Sequence, residues 1–344
     1  MSEKIPVAIL GATGAVGQKF VALLADHPWF EIAALAASER SAGKRYGEAA
    51  RWMDPRPLPP HIAAMEVLEA VPGIPGAIAF SGMDASVAEP IEAAFAKAGA
   101  AVVTNTRNYR MHADVPLLIP EINAESLSLL ATQRAKRGWK GYIVANPNCS
   151  TIVLALALAP LHRAFEVERV FVATMQAASG AGYPGVPSLD LLGNVIPFVD
   201  GEEEKIARET QKILDASIAI SAHTNRVAVV DGHTESISVG LRTPATPEAA
   251  VQAFTQFRGP AELERLPTAP CPPIVVQQAP DRPQPRLDAL LGNGMQISVG
   301  RVRTCPILTL RFTALGHNTI RGAAGAAILN AELLVARNLL PKKP

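Results

Sequence analysis

The chain has 344 residues, 49% of them apolar and 18% charged, a globular composition long enough for two domains and a substantial core. Lysine and arginine number 32 against 31 acidic residues, so no overall field draws in nucleic acid or a membrane surface, and an anionic ligand must be held by a few placed cations. Three cysteines, Cys149, Cys271 and Cys305, are too few and too scattered for a disulfide framework or a zinc ribbon, so reduced thiols and no metal are expected.

In chain order, residues 5–10 are a short apolar run, the glycine turn GATGAVG follows, 18–25 has a helical pattern and 31–37 is a second apolar run. Further strand-like runs lie at 76–80, 101–104 and 142–145, with a helix expected over 85–97. Alternation of this kind indicates a parallel, doubly wound sheet. The first strand begins almost at once, which leaves no room for a signal peptide. The longest apolar stretch, 151–161, falls well short of the roughly 18 residues of a membrane span, so a cytoplasmic protein is expected.

After a helix that opens at Cys149 the texture changes. Residues 169–176, 226–230, 234–241, 295–302 and 307–312 have strand character with partial alternation, which suits a mixed or antiparallel sheet with one covered face. The proline-rich stretch 259–285 reads as a long ordered excursion or loop. The alanine- and glycine-rich end from His317 reads as a helix able to pack closely, expected back against the first domain.

Two motifs carry chemistry. Gly11, Gly14 and Gly17 stand between a strand and a helix, where the backbone can approach a pyrophosphate and the helix start faces its charge; Thr13, Ala15 and Val16 complete the expected cradle. The pattern is GxxGxxG, not the stricter GxGxxG, so a tight turn without ligand remains the alternative. In the SERSAGK that follows the second strand, Glu39 is a candidate for the ribose of NAD, whereas Ser38, Arg40, Ser41 and Lys44 suit the 2′-phosphate of NADP, the preferred cofactor. In NPNCST, Cys149 is either a small core residue or a thiol whose ionisation is aided by the N–H groups of a helix start.

With YRMHADVPLLIPEIN, MQAASGAGYPG, NVIPF followed by GEEEK, ETQKIL, NRVAVVDGHTE and HNTIRGAAGAAILNAE, these motifs run in order nearly end to end. In that order the chain resembles the aspartate-semialdehyde dehydrogenase family, in its archaeal and fungal-like branch. The resemblance implies an α/β protein with a Rossmann-type NADP-binding domain, 1–148 with 317–344. It also implies an α+β catalytic and dimerisation domain with a mixed sheet, 149–316, in a homodimer or homotetramer. The implied reaction is reduction of L-aspartyl 4-phosphate to L-aspartate 4-semialdehyde and phosphate through a cysteine thioester.

By the same resemblance Cys149 is the nucleophile, His233 the acid/base in a turn between two strands, Gln176 the group that orients the thioacyl intermediate, and Asn148 a donor to phosphate or oxyanion. Arg226 grips the substrate carboxylate, where a planar fork suits better than an ammonium. Glu202 meets the substrate amine, with Glu203 as the alternative acid; Lys205 and Arg110 meet phosphate, Arg110 alternatively the carboxylate. Ser179, Gly180 and Asn318 close over the cofactor. His223 is a rival to His233 outside the matching motif. Two departures are NRVAV where the branch usually has NRVPV, and Gly193 where an aspartate is common. The competing reading is an acyl-CoA reductase of the malonyl-CoA type, which uses the same thiol and histidine.

Overall fold

A computed structural model describes residues 3–341, which divide into two compact units. The first comprises the chain through Leu118, Glu125–Asn146 and the stretch from Ala323 onward; the second comprises Ile119–Ala124 and Pro147–Gly322. Among the described residues no helix is long and apolar enough to cross a membrane.

The first unit holds β1 (Ile5–Leu10), β2 (Phe30–Ala37), β3 (Val67–Glu69), β4 (Ile78–Ser81), β5 (Ala101–Thr104) and β6 (Tyr142–Ala145), ordered β3-β2-β1-β4-β5-β6. Every neighbouring pair is parallel, so this is the doubly wound sheet that the alternation implied, with its order reversing between β1 and β4. Strands covered on both faces are apolar throughout or nearly so, and all residues of β4, β5 and β6 are buried.

Helix α1 (Ala15–Leu24) starts at the glycine turn, before the first residue of the helical pattern, because Gly14 caps it. Helix α2 (Ala85–Ala98) begins where the Asp84 side chain accepts the Ser86 N–H and ends at Gly99, whose φ of 115° is the left-handed conformation of a helix stop. The C-terminal helix, Gly325–Ala336, is preceded by a π turn over Ile320–Ala324. It is buried in this unit: Glu332 meets His27 at 2.8 Å, and Asn330 donates to the Leu118 carbonyl.

The second unit is built on a mixed sheet ordered β11-β12-β13-β10-β7-β9-β8. Its strands are β7 (Val167–Gln176), β8 (Val195–Ile196), β9 (Ala219–Val227), β10 (His233–Leu241), β11 (Ile274–Gln277), β12 (Ile297–Thr304) and β13 (Leu310–Gly316). β7 runs parallel to β9 and β11 to β12; the remaining neighbours are antiparallel. Helix α3 (Cys149–Phe165), buried on all sides from Ser150 to Leu161, packs on β7, β10, β12 and β13. The opposite face of the sheet carries the exposed Phe171, His223, Ser236 and Arg311.

Four expectations from the sequence differ from the structure. The strand expected at 226–230 ends at Val227 and begins at Ala219, because AISAHTNRV alternates small and polar residues and gains its strand character only by pairing with β7 from Ala219 to Arg226. The 259–285 excursion contains an edge strand, β11, and Ile307, expected in a strand, is 88% exposed in the connection between β12 and β13. His233 is not in a turn: it is the first residue of β10, opposite Gly316, and fully buried.

One buried ion pair ties the second unit together. Arg321 Nη1 and Nη2 each donate to a different oxygen of Glu121 at 2.8 Å, with both side chains at most 2% exposed. The Arg163 guanidinium adds a bond to the Glu121 carbonyl.

Candidate active site

Cys149 is the first residue of α3, and the residue before it builds the helix start. The Asn148 side-chain oxygen accepts the N–H groups of Ser150 and Thr151 at 2.9 and 3.2 Å, leaving the thiol at the positive end of a 17-residue helix. Asn148 Nδ2 donates to Glu202 at 2.7 Å, and its backbone N–H donates to Glu209 at 2.7 Å. A glycine backs the nucleophile: a Cβ on Gly322 would come within 2.7 Å of Cys149 Cβ.

The sheet supplies the groups that face the thiol. Gln176 pairs with Arg226 across β7 and β9, Thr234 opposite Met175 sets His233 beside Gln176, and His233 pairs with Gly316. Arg226, Gln176, His233 and Gly316 therefore form one row across four strands, three of them with buried polar side chains on the covered face. His233 Nε2 lies 3.1 Å from Cys149 Sγ. The other ring nitrogen, Nδ1, accepts the Ala177 N–H at 3.0 Å, and the Ala177 carbonyl accepts Arg226 Nη1 at 2.7 Å.

Gly180 closes against this set, since a Cβ there would meet Arg226 Nη1 at 2.7 Å and His233 Cε1 at 3.0 Å. Burial, with the charges of Arg226 and His317, pushes the His233 pKa down to about 3. Burial also draws Arg226 below its ordinary value, against the pull of Cys149 and Glu202. The rival His223 lies on the other face of β9, exposed and against the Phe171 ring.

Helix α4 (Glu202–Leu214) brings in the acidic groups. Glu202 is buried, accepts from Asn148 and pairs with Lys205 at 3.1 Å. Glu203 instead accepts the backbone N–H of Thr224 at 3.0 Å, so of the two candidate acids Glu202 is the one joined to the residue beside the thiol. Ser179 Oγ donates to Asp231 at 2.8 Å and accepts Asn318 Nδ2 at 2.7 Å, while the Asn318 oxygen accepts the Gly232 N–H.

The first unit carries the glycine turn. Gly11 has φ +76° and a Cβ there would meet the Gly82 carbonyl at 2.9 Å; a Cβ on Gly17 would sit 2.1 Å from the Gly11 carbonyl. No side chain caps α1 at Gly14, so the N–H groups of Ala15 and Val16 face outward from a bare helix start, which fits a dinucleotide pyrophosphate. Thr13 presents its carbonyl to Gln18 at 2.9 Å. After β2, Ser38 and Ser41 close a turn at 2.8 Å that leaves Ser38, Glu39, Arg40 and Lys44 exposed. Arg110 also belongs to this unit, with Nη2 donating to the Asn105 carbonyl at 2.7 Å.

Sequence reasoning missed Ala177, Glu209, Gly322 and Glu235. Glu235 is fully buried two residues along β10 from His233, opposite Thr174 and Ala314, and neither carboxyl oxygen has a hydrogen-bond partner among the described residues. Burial raises its pKa well above 4.5. The folded state therefore holds a proton that the unfolded chain releases above pH 4.5, so Glu235 opposes folding increasingly as pH rises from there toward its folded value. Glu235→Gln is expected to gain stability over wild type as pH rises from about 5 to about 8, read from urea midpoints. Parallel pH profiles for the two proteins would show that Glu235 is not held neutral.

Comparison with known proteins gives two family matches, one falling mainly in each unit. Residues 6–130 match the family "Semialdehyde dehydrogenase, NAD binding domain" and residues 158–321 match "Semialdehyde dehydrogenase, dimerisation domain". An aspartate-semialdehyde dehydrogenase of Archaeoglobus fulgidus is 48% identical, covering 97% of this chain and 99% of its own. The NADP-bound crystal structure of the Candida albicans enzyme is 41% identical, with TM-score 0.90 over 98% of this chain and 100% of its own. A malonyl-CoA reductase (NADP) of Metallosphaera sedula is 38% identical over the full length of both chains. The chain belongs to the aspartate-semialdehyde dehydrogenase family.

Proposed function

We propose that this protein is an NADPH-dependent reductase that converts L-aspartyl 4-phosphate to L-aspartate 4-semialdehyde and phosphate through a thioester on Cys149. The observation that carries the reading is the thiol at a capped helix start with an imidazole nitrogen at 3.1 Å. In this reading residues 1–148 with 317–344 bind NADP and 149–316 form the catalytic and dimerisation domain. The helix start of α1 and Gly11 to Gly17 hold the pyrophosphate, Ser38, Arg40, Ser41 and Lys44 hold the 2′-phosphate, and Ser179, Gly180 and Asn318 complete the cofactor contacts. When bound, NADPH supplies the hydride that reduces the thioester to the aldehyde.

The chain's own groups divide the remaining work. The Cys149 sulfur attacks the acyl carbon and phosphate leaves, which splits one difficult substitution into two easier steps. His233, whose Nε2 lies 3.1 Å from the sulfur, acts as the acid/base, and Gln176 orients the thioacyl intermediate. Arg226 holds the α-carboxylate and Glu202 the ammonium, while Lys205 and Arg110 take the phosphate. Asn148 acts chiefly by holding Glu202 and capping the helix, since its side-chain oxygen and one amide donor are engaged there. The exposed sheet face and the dimerisation-domain match support a homodimer or homotetramer.

Malonyl-CoA is the second reading, favoured by the Metallosphaera sedula relative. It offers a carboxylate and no ammonium, so the buried Glu202 would have no positive partner in the substrate and would keep only Lys205 and Asn148 as partners in the chain. The test is NADPH and NADH oxidation with aspartyl phosphate and with malonyl-CoA at matched concentrations. Faster oxidation of NADPH with aspartyl phosphate is expected; faster oxidation with malonyl-CoA would overturn the substrate, and preference for NADH would overturn the cofactor.

A further inference from the structure

Every polar group of Asn148, the residue before the nucleophile, is engaged. Its carbonyl accepts the Ile152 N–H at 2.9 Å in the first turn of α3, its side-chain oxygen caps that turn, and Nδ2 donates to Glu202. The backbone N–H donates to Glu209 Oε2 at 2.7 Å, with Asn148 7% and Glu209 2% exposed. Any asparagine at a helix start makes the cap and the first helical bond. The bond to Glu209 is of another kind, because its acceptor is a buried acid from a different helix that the reaction does not itself use.

Glu202 and Glu209 stand seven residues apart on α4, about two turns along one face, and both reach Asn148. Between them, Glu203 accepts the Thr224 N–H on β9, two residues before Arg226. Beyond them, Gln211 Nε2 donates at 2.7 Å to the Ile218 carbonyl, just ahead of that strand. Helix α4 is therefore bonded to the strand that carries the carboxylate-binding arginine, carries the acid for the ammonium, and holds the peptide that leads into Cys149. One element spans the substrate grips and the nucleophile.

We infer that Glu209 is a positioning residue: by tying the Asn148 peptide to α4 it sets the Cys149 sulfur against the acyl carbon of a substrate gripped by Glu202 and Arg226. Without that acceptor a buried N–H has no partner, and the chain must shift to pair or hydrate it. Reaction geometry tolerates little of this, since a displacement of about 1 Å costs about 10²-fold in rate. The placement of the sulfur toward substrate rests on the reductase reading; the hold of Glu209 on Asn148 does not.

Two variants of the full chain separate the acceptor from the charge: Glu209→Gln keeps an acceptor oxygen, and Glu209→Ala removes it. With the acyl substrate that wild type reduces, kcat is expected to fall about 10²-fold in Glu209→Ala, with KM within about threefold, and to stay within about fivefold of wild type in Glu209→Gln. Iodoacetamide needs no fixed approach, so it is expected to alkylate Cys149 in both variants at near wild-type rate and with the same pH inflection. Should Glu209→Ala fail to fold, Glu209→Asp, its carboxylate drawn back by one methylene, carries the same expectations.

A second readout does not depend on turnover. Residues 147–148 are the only Pro–Asn step in the sequence, so carbonyl-¹³C proline combined with ¹⁵N asparagine isolates the Asn148 amide by NMR. Its hydrogen exchange is expected to be slow in wild type and Glu209→Gln and at least about tenfold faster in Glu209→Ala. A Glu209→Ala kcat within about fivefold of wild type, or equal exchange in all three proteins, would overturn the inference. Alkylation slowed as much as turnover would make Glu209 a support of the thiol or of the fold, and equal losses in both variants would make it a charge; either result overturns it too. Wild type inactive toward aspartyl phosphate and malonyl-CoA alike would defeat the reductase reading, and the exchange of Asn148 would still decide whether Glu209 fixes that peptide.

Discussion

Cys149→Ala is expected to remove turnover by about 10⁴-fold or more while leaving the fold and NADPH binding near wild type. The loss is large because the variant has no covalent route, and the remaining donors have no thioester oxygen to act on. The fold survives because the thiol does not hold the helix start: the cap is made by Asn148 to the Ser150 and Thr151 N–H groups, and alanine is a good helix former. NADPH oxidation with aspartyl phosphate measures the first effect; nucleotide fluorescence titration and circular dichroism measure the second. Activity within about tenfold of wild type in the folded variant would remove Cys149 from the mechanism.

Glu121→Gln is expected to destabilise the second unit by about 3–5 kcal/mol, since it strips the bidentate acceptor from a guanidinium that is 1% exposed. The cost comes from the cation left behind, so Glu121→Gln with Arg321→Met is expected to recover part of it. Urea midpoints of the wild type, the single and the double variant give the comparison. A double variant no more stable than the single would mean that the pair works through shape, not charge. Catalysis should fall with the single change too, because Arg321 precedes the glycine that backs Cys149.

The parallel sheet was legible because buried strands between helices leave continuous apolar runs, and the second unit's mixed sheet because alternation marks a covered face. β9 was misplaced because its inward residues, Ala222, Thr224 and Arg226 among them, are small or polar and are covered by partners far away in sequence. The thiol could be read from NPNCST, since an asparagine before a helix is a cap by side-chain chemistry alone. The surroundings of His233 could not: DGHTE has the composition of a turn, and only the pairing with Gly316 shows it to be a strand start. Ala177 acts through its peptide, which its side chain does not advertise. Glu235 reads as a surface acid until the register places it on the covered face.

Arg226, Gln176 and His233 sit one strand spacing apart, about 4.8 Å, because three strands agree on register. A strand paired one residue out of step would turn its member of the row to the opposite face. Regain of enzyme activity after denaturation is thus a ruler for strand alignment. Molecules with full β-sheet content by far-ultraviolet spectroscopy but one slipped strand would be silent catalysts, so the curve of recovered activity should lag the spectroscopic curve and coincide with it only at its end.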